Sequence, residues 1–76
     1  MTPYKNCRGN SPVIAFEYDD RSIRVMFKSR MTYEYLRSRI GESNFQTMKE
    51  LAEEGSGLSA FITKNVYEMY VRRWKG

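Results

Sequence analysis

Two runs of alternating apolar and polar residues, separated by a short acidic turn, constrain this chain more than anything else in it. In the first run Ile14, Phe16 and Tyr18 share a face. In the second Ile23, Val25 and Phe27 do, with Arg24, Met26 and Lys28 opposite. A period of two belongs to a strand buried on one side. Asp19-Asp20-Arg21-Ser22 between the runs is turn chemistry. Pairing Tyr18 with Ile23 sets Phe16 against Val25 and Ile14 against Phe27, so a single register puts all of these apolar side chains on one face. A slip by one residue would turn a whole strand outward, which is why the register is strongly specified.

A third strand carries Tyr33-Glu34-Tyr35, and the turn before it decides where the tyrosines go. A two-residue loop at Ser29-Arg30 would pair Met26 with Tyr33 and leave both tyrosines on the basic outer face. A three-residue loop at Lys28-Ser29-Arg30 pairs Val25 with Tyr33 and Ile23 with Tyr35, which takes both into the core. Such loops usually end in a left-handed residue, commonly glycine, and here the position is Arg30, at some cost in strain. The three-residue loop is preferred because it makes all three strands agree. The outer face then presents Val13, Ala15, Glu17, Arg24, Met26, Lys28, Thr32, Glu34 and Leu36.

Two helices follow. Ser43-Asn44-Phe45-Gln46 reads as a capping box, with Ser43 as N-cap. Phe45, Met48, Leu51 and Ala52 form an apolar stripe at helical spacing, and Gly55 is a natural stop. After Gly55-Ser56-Gly57, with Ser59 as a candidate cap, Leu58, Ile62, Val66, Met69 and Tyr70 lie on one side of a second helix expected to reach about Arg73. Residues 1–12, with Pro3, Gly9, Asn10 and Pro12 and no periodicity, read as a flexible arm. The expected architecture is a single α+β domain over residues 13–76: a three-stranded antiparallel meander followed by two helices packed on one face, in the order βββαα.

Several short motifs resemble the KTSC family, a module found at the C-terminus of some lysyl-tRNA synthetases and as free-standing bacterial and phage proteins. Ser11 matches its leading serine, Tyr18-Asp19 the end of its first strand, Val25-Met26-Phe27 its second strand and Tyr33-Glu34-Tyr35 its Tyr-x-Tyr. Gly55-Ser56-Gly57 matches its small-residue link. The family's usual Val-Pro is replaced by Ile40-Gly41-Glu42-Ser43, and its Phe-Asn by Phe61-Ile62. The resemblance covers about three quarters of the chain and implies a small binding domain, with nucleic-acid binding suggested for the family.

Composition narrows the chemistry. Histidine is absent and Cys7 is the one cysteine. The usual zinc sites and the Ser/His and Cys/His nucleophile arrangements are therefore out of reach. Cys7 beside Arg8 lies in the expected arm, which does not hold a catalytic site rigid. Asp19-Asp20 is better explained as a turn than as a catalytic pair. Glu53 and Glu54 near a helix end read as solvated, and Gly55 to Ser59 is only a weak anion-binding signal. No apolar run is long enough for a membrane helix, the N-terminus lacks a secretory signal, and an unpaired cysteine suits a reducing cytoplasm. No cofactor, metal or catalytic residue is expected.

The net charge of +4 is segregated. Residues 42–57 are acidic. Arg37 and Arg39 precede them, and Lys64, Arg72, Arg73 and Lys75 follow against Glu68. Segregation of this kind favours an anionic partner; the plainer reading is a solvated surface. The segment from Tyr67 to Lys75 joins cations to aromatic rings, with Arg72 and Arg73 suited to phosphate and Trp74 or Tyr67 to stacking. Alternatively Tyr70 and Trp74 pack on the core and the cations suit a helix C-terminus. The expected function is a non-enzymatic module binding RNA, single-stranded nucleic acid or a nucleotide through Arg37, Arg39, Lys64, Tyr67, Arg72, Arg73 and Trp74. The alternative is a phage anti-defence protein that sequesters a nucleotide signal or inhibits a host protein. Val13, Met26 and Leu36 on the uncovered sheet face suggest a homodimer or higher homo-oligomer.

Overall fold

Both expected hairpins form, and the sheet they make grows by a strand at each edge. The computed structural model describes residues 1–75; Gly76, the last residue of the expected domain, lies outside them. The strands are β1 (Thr2–Pro3), β2 (Val13–Tyr18), β3 (Ser22–Phe27), β4 (Met31–Leu36) and β5 (Arg72–Lys75). They pair antiparallel in sequence order as one five-stranded sheet. Between β4 and β5 the chain forms α1 (Arg37–Ile40), α2 (Glu42–Glu54) and α3 (Leu58–Phe61), and α3 runs directly into a π-helical turn over Ile62–Val66. The expected βββαα order is thus corrected to a five-stranded sheet with its helices inserted before the last strand.

The register is the one that buries the aromatic residues. Tyr18 faces Ile23, Phe16 faces Val25, Val25 faces Tyr33 and Ile23 faces Tyr35. Arg30 takes the strained left-handed turn position, with φ 72°. One pairing differs from the expectation. A bulge between Val13 and Ala15 brings Val13, rather than Ile14, opposite Phe27. An extra residue in one strand reverses the facing of everything before it, so Val13 is buried in the core. Its removal from the outer face takes one member from the Val13, Met26 and Leu36 patch expected to join two copies.

The first 12 residues are not a loose arm. Pro3 pairs with Ala15, and the Tyr4 N–H donates to the Ile14 carbonyl at 3.0 Å. Tyr4 is buried, and its hydroxyl accepts the Leu58 N–H at 3.3 Å, which satisfies an open donor at the start of α3. The Cys7 N–H then donates to the Gly55 carbonyl at 2.8 Å. The segment crosses Gly55 so closely that a Cβ there would stand 2.4 Å from Lys5 Cβ. Sequence periodicity is silent about such a segment, because one buried aromatic anchors it.

The second helix stops early for local reasons. The Thr63 hydroxyl donates to the Ser59 carbonyl and the Asn65 amide to the Phe61 carbonyl, each at 3.1 Å. Side chains that bond back to helix carbonyls compete with the helical ladder, and here the turn widens to π geometry. Beyond Val66 a continued helix would keep Met69 and Tyr70 on its apolar side but would end in the charged Arg72 and Arg73. Meanwhile the meander leaves one edge of β4 with unpaired backbone groups. The C-terminal segment meets that demand: the Val71 N–H donates to the Glu34 carbonyl at 2.8 Å, and β5 follows alongside β4.

The core lies between the sheet and the helices. Phe45, Met48 and Ala52 from α2, with Leu58, Ile62 and Val66, pack against Phe16, Ile23, Val25 and Tyr35. The expected capping box at Ser43 is absent: α2 begins at Glu42 after Gly41, with no side-chain cap, and Gln46 bonds Glu42 instead. Gly55 ends α2 in the left-handed conformation, as its position suggested.

Candidate functional site

Alternation along β5 divides the basic C-terminal cluster between two faces. Arg72 lies opposite Glu34 and Trp74 opposite Thr32, on the face away from the helices. Arg73 lies opposite Tyr33, on the helix side. The expected grouping of Arg72, Arg73 and Trp74 in one site is therefore split, because these residues sit on a strand and not on a helix.

On the outer face the charges form a ladder across the sheet. Glu17 meets Arg24 at 2.7 Å, Arg24 meets Glu34 at 3.1 Å, and Glu34 meets Arg72 at 2.9 Å. Asp19 joins at 3.4 Å from Arg24. Opposite charges directly across neighbouring strands stabilise the pairing. Burial opposes ionisation of Glu34, but hydrogen bonds from Arg72, Arg24 and Ser22 outweigh it and hold the carboxyl below its usual range. Arg72 also stands over the Trp74 ring, 5.0 Å from its centroid. Arg72 and Trp74 are thus engaged within the sheet, and this charged ladder makes the outer face a poor apolar interface.

The helix side holds a groove of ≈ 490 Å³. Phe27, Tyr33 and Tyr35 from the sheet form one wall, Ser59, Ile62 and Thr63 the other, and Tyr67, Glu68, Tyr70 and Arg73 close one side. Pro12, Lys28 and Ser29 complete it. The aromatic rings are held in a chain: Phe27 meets Tyr33 edge-on at 5.5 Å, and Tyr33 meets Tyr70 edge-on at 5.0 Å. Arg73 lies 5.9 Å from the Tyr70 ring centre. Its hydrogen bond with Tyr33, and the nearby Tyr70, raise its pKa. Tyr35, deepest of the four tyrosines of the groove, has its pKa pushed up by burial, so its hydroxyl stays neutral. Tyr67 stands out from the rest, 66% exposed, with its ring available at the rim.

Of the residues marked from sequence, the structure brings Tyr67 and Arg73 to this groove. Arg37 and Arg39 lie exposed on α1, with Arg37 3.7 Å from Glu42, and Lys64 lies exposed on the π-turn; none of them lines the groove. Lys28, Tyr33, Glu68 and Tyr70 were missed as site residues. A signal was present for part of the set. Tyr67, Tyr70 and Arg73 recur at intervals of three, and the hairpin register already placed Tyr33 on the helix side. A second, shallower concavity between Tyr18 and α2 is occupied by its own side chains: Tyr18 donates to Glu53, and Lys49 lies over the Tyr18 and Phe45 rings.

Among the described residues no cluster of His, Cys, Asp or Glu is placed to hold a metal, and no helix is long and apolar enough to cross a membrane. Comparison with protein-family models, curated proteins and solved structures finds no match to this chain.

Proposed function

We propose that this chain is a non-enzymatic binding module whose groove takes a phosphate-bearing partner, a nucleotide or a single-stranded nucleic acid. One observation carries this reading: a single concavity joins aromatic rings, the exposed Tyr67 and the half-buried Tyr70 and Tyr33, to the cations Arg73 and Lys28. Bases stack on aromatic rings whatever their sequence, and arginine binds phosphate oxygens in a bidentate fork. The Arg73 guanidinium already lies 5.9 Å from the Tyr70 ring centre, so the cation and the ring surface stand side by side at the groove. The resemblance to KTSC sequences supports the same reading, since its Tyr-x-Tyr motif supplies Tyr33 and Tyr35 to the groove wall.

Fluorescence polarisation with labelled single-stranded oligonucleotides, across a salt series, tests it. Binding should weaken steadily with salt, as a phosphate-dominated mode requires. Arg73→Ala and Tyr67→Ala should each weaken binding by about tenfold or more, while Arg37→Ala and Arg39→Ala leave it close to wild type. Absence of binding at low salt, or binding indifferent to salt, would refute the proposal.

A further inference from the structure

A groove for a phosphate-bearing ligand has a carboxylate in it. Glu68 is the one acidic residue of the lining, which it shares with Tyr67, Tyr70 and Arg73. It makes no hydrogen bond or ion pair with another described residue. A carboxylate in this position repels phosphate and accepts hydrogen bonds only, so it fits a ligand that presents donors at some distance from its phosphate. From this we infer that Glu68 makes the groove selective for guanine among the nucleobases, its carboxylate accepting the N1–H and the exocyclic N2–H of the base. The inference deepens the nucleotide-binding reading and rests on it.

The chemistry of base edges singles out guanine. Its Watson–Crick edge carries two adjacent donors, N1–H and N2–H, which match the two oxygens of one carboxylate. Adenine and cytosine each present an amino group next to a ring nitrogen that is an acceptor, so a bidentate carboxylate would meet lone pair against lone pair. Uracil offers one N–H between two carbonyls. Recognition through this edge is available where the base is unpaired, as in a free nucleotide or a single strand. The groove suits one such unit: at ≈ 490 Å³ it falls in the range of pockets that enclose a single small ligand. Tyr67 and Tyr70 supply ring surface, Glu68 the edge contact, and Arg73 and Lys28 the phosphate contacts. The division of labour explains how one acid is tolerated beside two cations.

Isothermal titration of the full chain with GMP, AMP, CMP and UMP at low salt tests the inference, using wild type, Glu68→Gln and Arg73→Ala. GMP should bind about tenfold to a hundredfold tighter than the others, the range for hydrogen bonds to a charged group. Glu68→Gln should cut that preference sharply, because its amide keeps one uncharged acceptor and sets an N–H against the second guanine donor, and should leave thermal unfolding unchanged since Glu68 is exposed. Arg73→Ala should weaken all four nucleotides alike. Equal affinities in the wild type, or a guanine preference that survives Glu68→Gln undiminished, overturn the guanine assignment and leave the nucleotide reading standing. Oligonucleotide binding without mononucleotide binding does the same. Failure of both ligand types to bind overturns the two together.

Discussion

Replacing Tyr4 by alanine separates an N-terminal segment that is part of the fold from one that merely precedes it. Tyr4 is 6% exposed, and its hydroxyl accepts the Leu58 N–H at 3.3 Å. Truncating a buried aromatic side chain costs about 3–5 kcal/mol through lost transfer energy and the cavity left behind. A domain of 76 residues has roughly 4–11 kcal/mol of stability in total. Tyr4→Ala should therefore remove about a quarter of it or more, and at the low end of that range the domain would sit close to its unfolding midpoint at room temperature. Tyr4→Phe keeps the ring and removes only the acceptor, which leaves the Leu58 N–H buried without a partner, at about 1–3 kcal/mol. Urea unfolding followed by far-ultraviolet circular dichroism, extrapolated linearly to water, measures both. The ordering Ala worse than Phe worse than wild type is required. Losses below about 0.5 kcal/mol for Tyr4→Ala, the size of an ordinary surface substitution, would refute the packing of residues 1–12 against α3.

Gly55→Ala should destabilise the domain by at least about 1–2 kcal/mol, since Gly55 has φ 77° and a Cβ there would stand 2.4 Å from Lys5 Cβ. The thermal midpoint reads this, at about 4–8 °C per kcal/mol for a domain of this size. Glu34 gives a pH prediction. Its folded-state pKa is lowered from 4.5, so its stabilising contribution is fully present above that value and is lost as the pH falls through the folded-state pKa. Between pH 5 and about pH 3 the wild type should lose more stability than Glu34→Gln; parallel slopes in acid unfolding would contradict the ladder.

The parts of the fold that the sequence made legible are those where period and packing agree. The hairpin register, the stripe on α2 and the stop at Gly55 follow from repeated spacing. Arg30 took the left-handed position because the shorter loop would have turned Tyr33 and Tyr35 to the outer face: a strained residue was tolerated where two tyrosines would otherwise have left the helix side. What periodicity could not show were features resting on single residues. The bulge at the start of β2 turns on one inserted residue, and the docking of residues 1–12 turns on Tyr4. The length of the second helix turned on a competition between local propensity and the demand of an open sheet edge. Leu58, Ile62, Val66, Met69 and Tyr70 continue a helical stripe with no break in it, and the backbone nevertheless left the helix after Val66. The candidate site inherited that error. Arg72, Arg73 and Trp74 look like one cluster on a helix and become two faces on a strand.

The same departure from the helix makes the groove. Had the second helix continued to Arg73, it would have carried Tyr67 and Tyr70 away along its axis and left β4 with a bare edge. Ending it at Val66 instead returns the chain to β4, where the Glu34 carbonyl takes the Val71 N–H at 2.8 Å. The return brings Tyr70 edge-on to Tyr33 and sets Arg73 beside both. Closing a sheet edge is a requirement of the fold alone, because an unpaired edge invites association with other chains. Its consequence is a concavity whose rings come from two separated parts of the sequence: Phe27 and Tyr33 from the hairpin, and Tyr67 and Tyr70 from the return. Arg72, the next residue along, continues the outer ladder through Glu34, so the pairing that positions Arg73 in the groove is anchored by a charge pair on the opposite face. The placement of Arg73 in the groove and the stability of the C-terminal strand are therefore properties of one four-residue segment.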